Sequence, residues 1–139
     1  MEQLQQTQYV GSPHSENRQA SRMIVLAGTN FYDYDLKAFG KDRILFGRDP
    51  DRCDIVIPMS TISGVHGKIK FANGKTYVGD VGSTNGTYLY RGEIYECMKP
   101  RKYYQKESGD WILRIDAKNH VSNQSAVIIL TDSLQKSAW

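Results

Sequence analysis

The sequence predicts an all-β domain, an antiparallel sandwich or barrel, and three observations carry that reading. Short apolar or alternating runs recur beyond residue 21, each closed by Gly, Pro, Asn or Asp. No long segment keeps helical spacing, so the regular helices of an α/β enzyme fold are not expected. Asn73-Gly74 sits between two strand-like runs, and that dipeptide is the strongest short hairpin signal a sequence offers.

The elements follow in chain order. Met23–Ala27 is an apolar run ended by the turn residues Gly28-Thr29-Asn30. Phe31, Tyr32, Tyr34 and Leu36 form a second, aromatic strand, and Gly40-Lys41-Asp42 turns the chain into a third, Arg43–Phe46. Asp49-Pro50-Asp51 is a turn, because proline presets one dihedral and aspartate bonds to nearby backbone. Asp54–Ile57 is a brief strand closed by Pro58. His66–Phe71 sets Ile69 and Phe71 against Lys68 and Lys70, the period-two pattern of a half-buried strand. Lys75–Val81 returns from the Asn73-Gly74 turn, and Thr87–Tyr90 with Glu93–Tyr95 flanks Arg91-Gly92 as a second hairpin. Cys97–Ser108 is basic and irregular and reads as a surface loop. Its Lys99, Arg101, Lys102 and Lys106 read as a solvated face, able to assist an acidic or phosphorylated partner. Trp111–Ile115 and Ala126–Thr131 are the last strands, joined by a polar turn over Asn119–Ser125, and a short helix is expected from about Asp132.

Composition narrows the function classes. At 139 residues the chain suits one domain, with a polar, flexible tail over 1–21, a folded unit over 22–133 and a short tail over 134–139. A net charge of +3 does not demand nucleic acid, although it suits a negatively charged peptide. No apolar run approaches the roughly 18 residues of a membrane helix. The N-terminus lacks the apolar centre of a secretory signal. Cys53 and Cys97 stand alone and point to a reducing cytoplasm. His14, His66 and His120 are scattered without metal-ligand spacing, so neither metal nor cofactor is expected. Ser63, His66 and Asp80 have no nucleophile-elbow motif or triad signature, and Gly64–Lys68 is too short for a P-loop, so no enzyme is expected.

One stretch, Gly47–Thr87, gathers residues suited to an anion: Gly47-Arg48, then Ser63-Gly64-Val65-His66, then Gly82-Ser83-Thr84-Asn85-Gly86-Thr87. Guanidinium is a planar fork of donors matched to phosphate oxygens, and it stays charged at any working pH. Serine and threonine hydroxyls donate without bulk, and an asparagine amide both donates and accepts, which suits a peptide backbone. Each residue has a plainer reading. Arg48 alone reads as a surface arginine paired with Asp49 or Asp51, Ser63 and His66 as loop caps, and Gly82–Thr87 as a glycine-rich connection.

The order Gly47-Arg48, Ser63-x-x-His66, then Asp80-Val81-Gly82-Ser83-Thr84-Asn85-Gly86-Thr87 resembles the forkhead-associated (FHA) domain, over roughly residues 23 to 131. The resemblance implies a sandwich of about eleven strands and a non-catalytic, phosphothreonine-dependent interaction module in Ser/Thr kinase signalling or phospho-regulated assembly. It implies that Arg48 and Ser63 meet the phosphate, with Gly64 beside them, that Thr84 adds a hydroxyl or backbone contact, and that Asn85 holds the ligand's main chain. Gly47, His66, Gly86 and Thr87 are implied to shape the site. The expected partner is a phosphothreonine-containing protein or peptide. Thr7, in the chain's own tail, is a second candidate ligand once phosphorylated. Gly64 departs from the family's usual basic or hydrogen-bonding residue, which predicts weak or unusually selective binding. It also keeps open a phosphorylation-independent scaffold of the same fold, and an end at Trp139 fits a piece of a larger protein.

Overall fold

In the computed structural model, which describes residues 20–107, 109–117 and 125–132, eleven strands stack as two sheets. They are β1 (Ala20–Ala27), β2 (Asn30–Asp35), β3 (Arg43–Gly47), β4 (Ile55–Val56), β5 (Gly67–Ala72) and β6 (Lys75–Asp80). The rest are β7 (Tyr88–Arg91), β8 (Ile94–Cys97), β9 (Tyr103–Lys106), β10 (Trp111–Ile115) and β11 (Ala126–Asp132). One sheet has the order β9-β6-β5-β3-β4 and the other β2-β1-β11-β10-β7-β8. The strand pairs are antiparallel except β3–β4, which is parallel over Phe46↔Ile55 and Gly47↔Val56.

Alternation decides which side of each strand is buried. In β10, Trp111, Leu113 and Ile115 point inward while Ile112 and Arg114 stay exposed. Leu113 lies opposite Leu89 on one side and Ile128 on the other. The other sheet contributes Ile44, Phe46, Ile69 and Val78 to the same core. Burying each aliphatic side chain of this kind contributes about 1.5–3 kcal/mol, so the shared core is the main glue between sheets. A polar pin supplements it: the Ala20 N–H donates to Thr76 Oγ1 across the sandwich at 2.9 Å. The β5–β6 turn forms as its sequence requires, with Asn73 at φ 55° and Gly74 at φ 76°.

Three expectations need correction. Leu36 is not in the second strand but begins a 3-10 helix, Leu36–Phe39, capped by Asp35, whose carboxylate accepts from Lys37 N at 3.0 Å. Leu36 is buried in the core, 1% exposed, beside Tyr32 and Tyr34 of the preceding strand, which pack against the same core. The first strand starts at Ala20, so Ala20 and Ser21, assigned to the tail, are buried strand residues. The basic loop over Cys97–Ser108 contains β9, paired with β6 in register Tyr104↔Val78. Lysines hid its period-two pattern, because one of them faces inward. Lys106 is 1% exposed and donates to the carbonyls of Glu107 at 3.1 Å and Gly109 at 2.6 Å, and to Asp132 Oδ1 at 2.6 Å. It therefore does not belong to a solvated basic face. Thr7, the tail over 134–139, residues 119–124 of the expected turn and the C-terminal helix beyond Asp132 lie outside the described residues. Asp132 itself ends β11.

Candidate functional site

Three connections, β3–β4, β4–β5 and β6–β7, are stitched together by hydrogen bonds. The Arg48 N–H donates to Ser63 O at 2.9 Å and the Asp49 N–H to Gly64 O at 3.0 Å, so the first two run side by side. Gly47 permits that approach. A Cβ there would lie 2.3 Å from Gly64 O and 2.9 Å from Cys53 Sγ. From the third connection, Thr84 N–H donates to Ser63 Oγ at 2.9 Å, and Asn85 Nδ2 donates to Thr61 O at 2.8 Å. Arg48 closes the other side, its Nε donating to Ile62 O at 3.0 Å.

Arg48, Ser63, Thr84 and Asn85 are thus brought to one patch around residues 61–64. Arg48 and Thr84 are exposed, and Ser63 and Asn85 are half-buried. Among the described residues, the Nη groups of Arg48, the Thr84 hydroxyl and Asn85 Oδ1 meet no partner. Ser63 Oγ accepts from Thr84, which leaves its own proton free to donate outward. The patch offers one fixed cation, two hydroxyls and an amide oxygen. Arg48 pairs with neither Asp49 nor Asp51. Asp49 is instead taken up by Arg52 Nε at 2.7 Å and by Asp51 N–H at 2.9 Å.

Beneath the patch lies a buried polar chain. His66 is 0% exposed. Its Nδ1 accepts from Ser63 N–H at 3.1 Å, which assigns the ring proton to Nε2, facing Gly86 O at 3.2 Å and Thr87 Oγ1 at 3.1 Å. The Thr87 hydroxyl donates to Asp80 Oδ2 at 2.7 Å. Asp80 also accepts from Gly82 N–H at 2.8 Å, and from Ser83 N–H at 2.7 Å and Ser83 Oγ at 2.6 Å. Burial alone would raise the Asp80 carboxyl, but the bonds from Ser83, Thr87 and Gly82 outweigh it and hold its pKa below the usual value. Gly86 closes the turn at φ 81°, a left-handed conformation that glycine adopts without strain.

Burial pushes the His66 pKa down, against the opposing pull of the Asp80 carboxylate and the Gly86 carbonyl. The folded state therefore keeps His66 neutral while the unfolded chain protonates it near pH 6.5. Stability should be full above that value and fall as pH drops toward the depressed folded pKa, by at most about 1.4 kcal/mol per pH unit. Urea midpoints measured between about pH 8 and about pH 5 check this, and a flat profile would contradict it.

Ser63, His66 and Asp80 do come together, yet not as a nucleophile and its base. Both ring nitrogens of His66 are engaged by Ser63 N–H, Gly86 O and Thr87, and Ser63 Oγ bonds Thr84 instead. Gly47, His66, Gly86 and Thr87 all take part in the close approaches and hydrogen bonds that join these connections. Residues to which the sequence assigned no role also join these loops. Asp80 and Ser83 hold the third loop, and Asp80-x-Gly82-Ser83 is a readable signal, since aspartate often caps the N–H groups two and three residues on. Thr61 offers its carbonyl to Asn85, and Arg52 lies over Gly64; neither has a local signal.

Residues 44–115 match the FHA domain. The chain is 32% identical over 92 residues to the FHA domain-containing protein FhaB of Mycolicibacterium smegmatis, an alignment covering 63% of this chain and 55% of that protein. The chain thus spans about half the length of that relative. Among solved structures, the N-terminal FHA domain of Rad53p from S. cerevisiae, in complex with a phosphothreonine peptide, superposes with a TM-score of 0.59 at 19% identity. The match covers 81% of this chain and 94% of that one. The FHA domain of CT664 from Chlamydia trachomatis gives a TM-score of 0.52 at 21% identity, over 81% and 99% of the two chains. At these identities the structural likeness is one of fold.

Proposed function

The chain belongs to the FHA domain family, and from that premise we propose that it is a non-catalytic module binding phosphothreonine-containing segments of partner proteins. It would read the output of Ser/Thr kinases, in signalling or in assembly that phosphorylation controls. The observation that carries this reading is the gathering of Arg48, Ser63, Thr84 and Asn85, from three separate loops, with the Arg48 Nη groups and the Thr84 hydroxyl unpaired among the described residues. A phosphothreonine brings about −1.5 to −2 charges and three strong acceptor oxygens near pH 7. Arg48 meets two of those oxygens with its Nη groups. The Ser63 and Thr84 hydroxyls donate to the phosphate, and Asn85 Oδ1 accepts a main-chain N–H of the peptide just beyond it.

The buried His66–Thr87–Asp80 chain keeps the second and third loops at fixed separation. The donors are thus ordered before the ligand arrives, which reduces the entropy cost of binding. That an FHA domain of this fold was crystallised with a phosphothreonine peptide is in keeping with the proposal. The test is a titration of a degenerate phosphothreonine peptide library, with the same peptides unphosphorylated as control. Strong preference for the phosphorylated pool is expected. Equal binding to both pools would replace the proposal with a phosphorylation-independent scaffold.

A further inference from the structure

Gly64 leaves a gap in the donor set, since the position beside Ser63 carries no side chain. Another residue occupies that gap. A Cβ built on Gly64 would lie 2.5 Å from Arg52 Nη2 and 3.7 Å from Arg52 Cζ. A guanidinium stands where a side chain at residue 64 would begin. Gly64 is not among the glycines with positive φ, so the obstacle to a side chain there is Arg52 and not the backbone.

We propose that Arg52 supplies the cationic contact to the phosphopeptide that a side chain after Ser63 would otherwise give, making it a specificity-determining residue of this site. The inference rests on the phosphothreonine-binding reading above. Its geometry is built and not accidental to one rotamer. Asp49 Oδ2 holds Arg52 Nε at 2.7 Å, and Asp49 Oδ1 is itself fixed by Asp51 N–H at 2.9 Å. Asp49 N–H bonds Gly64 O at 3.0 Å, so the carboxylate that aims Arg52 is tied to the residue it covers. Engaging Nε alone leaves the Nη groups without an acceptor among the described residues. Two carboxylates, Asp49 and Asp51, lie between Arg48 and Arg52; Asp49 takes only Arg52 Nε, and neither carboxylate pairs with an Nη group of either arginine. The Arg52 side chain is 62% exposed, so a ligand seated on Ser63 can reach it.

The test uses the tightest-binding peptide selected from a phosphothreonine library, titrated by fluorescence anisotropy against the full chain and two variants. Arg52→Ala should weaken binding about tenfold, with unchanged urea stability, because a solvent-exposed charge-assisted contact is lost and no core group moves. Arg52→Ala combined with Gly64→Lys should recover most of that loss, since a cation is returned to the same place by the other route. Binding by Arg52→Ala equal to the parent overturns the inference while leaving phosphothreonine recognition intact. Weakening without recovery in the double variant also overturns it, because the charge then acts somewhere other than beside Ser63. If the parent chain shows no preference for the phosphorylated peptide, the functional reading falls first and this inference falls with it.

Discussion

Arg48→Ala should reduce affinity for a phosphothreonine peptide by about a hundredfold or more while leaving the fold intact. Each hydrogen bond to a charged partner is worth about 1.5–3 kcal/mol, and two from one guanidinium fork reach the roughly 2.7 kcal/mol that a hundredfold change requires. The structural cost is small by comparison. The variant loses the Nε bond to Ile62 O, but the backbone bond from residue 48 N–H to Ser63 O remains. A bond from an exposed, charged guanidinium to a carbonyl falls at the low end of about 1.5–3 kcal/mol, well inside the 5–15 kcal/mol typical of a small domain. Arg48→Lys should recover only part of the affinity, since it restores a charge without the fork or the Nε brace. Calorimetric titration alongside a denaturation curve checks both halves. Undiminished binding in Arg48→Ala would remove the residue from the ligand contact.

Asp80→Ala should have the opposite profile, a large loss of stability of about 3–5 kcal/mol, comparable to breaking a buried charged network. Its carboxylate is 3% exposed and accepts from Gly82, Ser83 and Thr87. Removing it strands those donors and leaves His66 Nε2 beside a Thr87 hydroxyl without its acceptor. Set against the 5–15 kcal/mol typical of small domains, such a loss brings the variant near its folding threshold. The linkage has a definite sign. The folded Asp80 pKa is depressed, so its contribution is present above the unfolded value near pH 3.9 and is lost as pH falls through the folded pKa. Urea denaturation near neutral pH measures the main effect, and a loss below about 1 kcal/mol would contradict it. Comparing the two variants separates what touches ligand from what holds the loops.

Local chemistry made much of this protein readable from its residues. Period-two runs such as Trp111–Ile115 announce which side is buried, and Asn73-Gly74 announces its own hairpin, because both depend on neighbours within a few residues. The candidate site residues could be named for a similar reason: arginine, serine, threonine and asparagine each carry their hydrogen-bonding capacity wherever the fold puts them. Tertiary structure decided the remainder. β9 escaped notice because Lys106 is a core residue only when Asp132, 26 positions away, and two carbonyls surround its ammonium. The meeting of Ser63 with Thr84, 21 residues apart, depends on loops from separate strand pairs. Gly64, which read as a missing donor, proves to lie under Arg52. Spacing along the chain cannot report such contacts, since they exist only once the sandwich has closed and brought distant backbone into register.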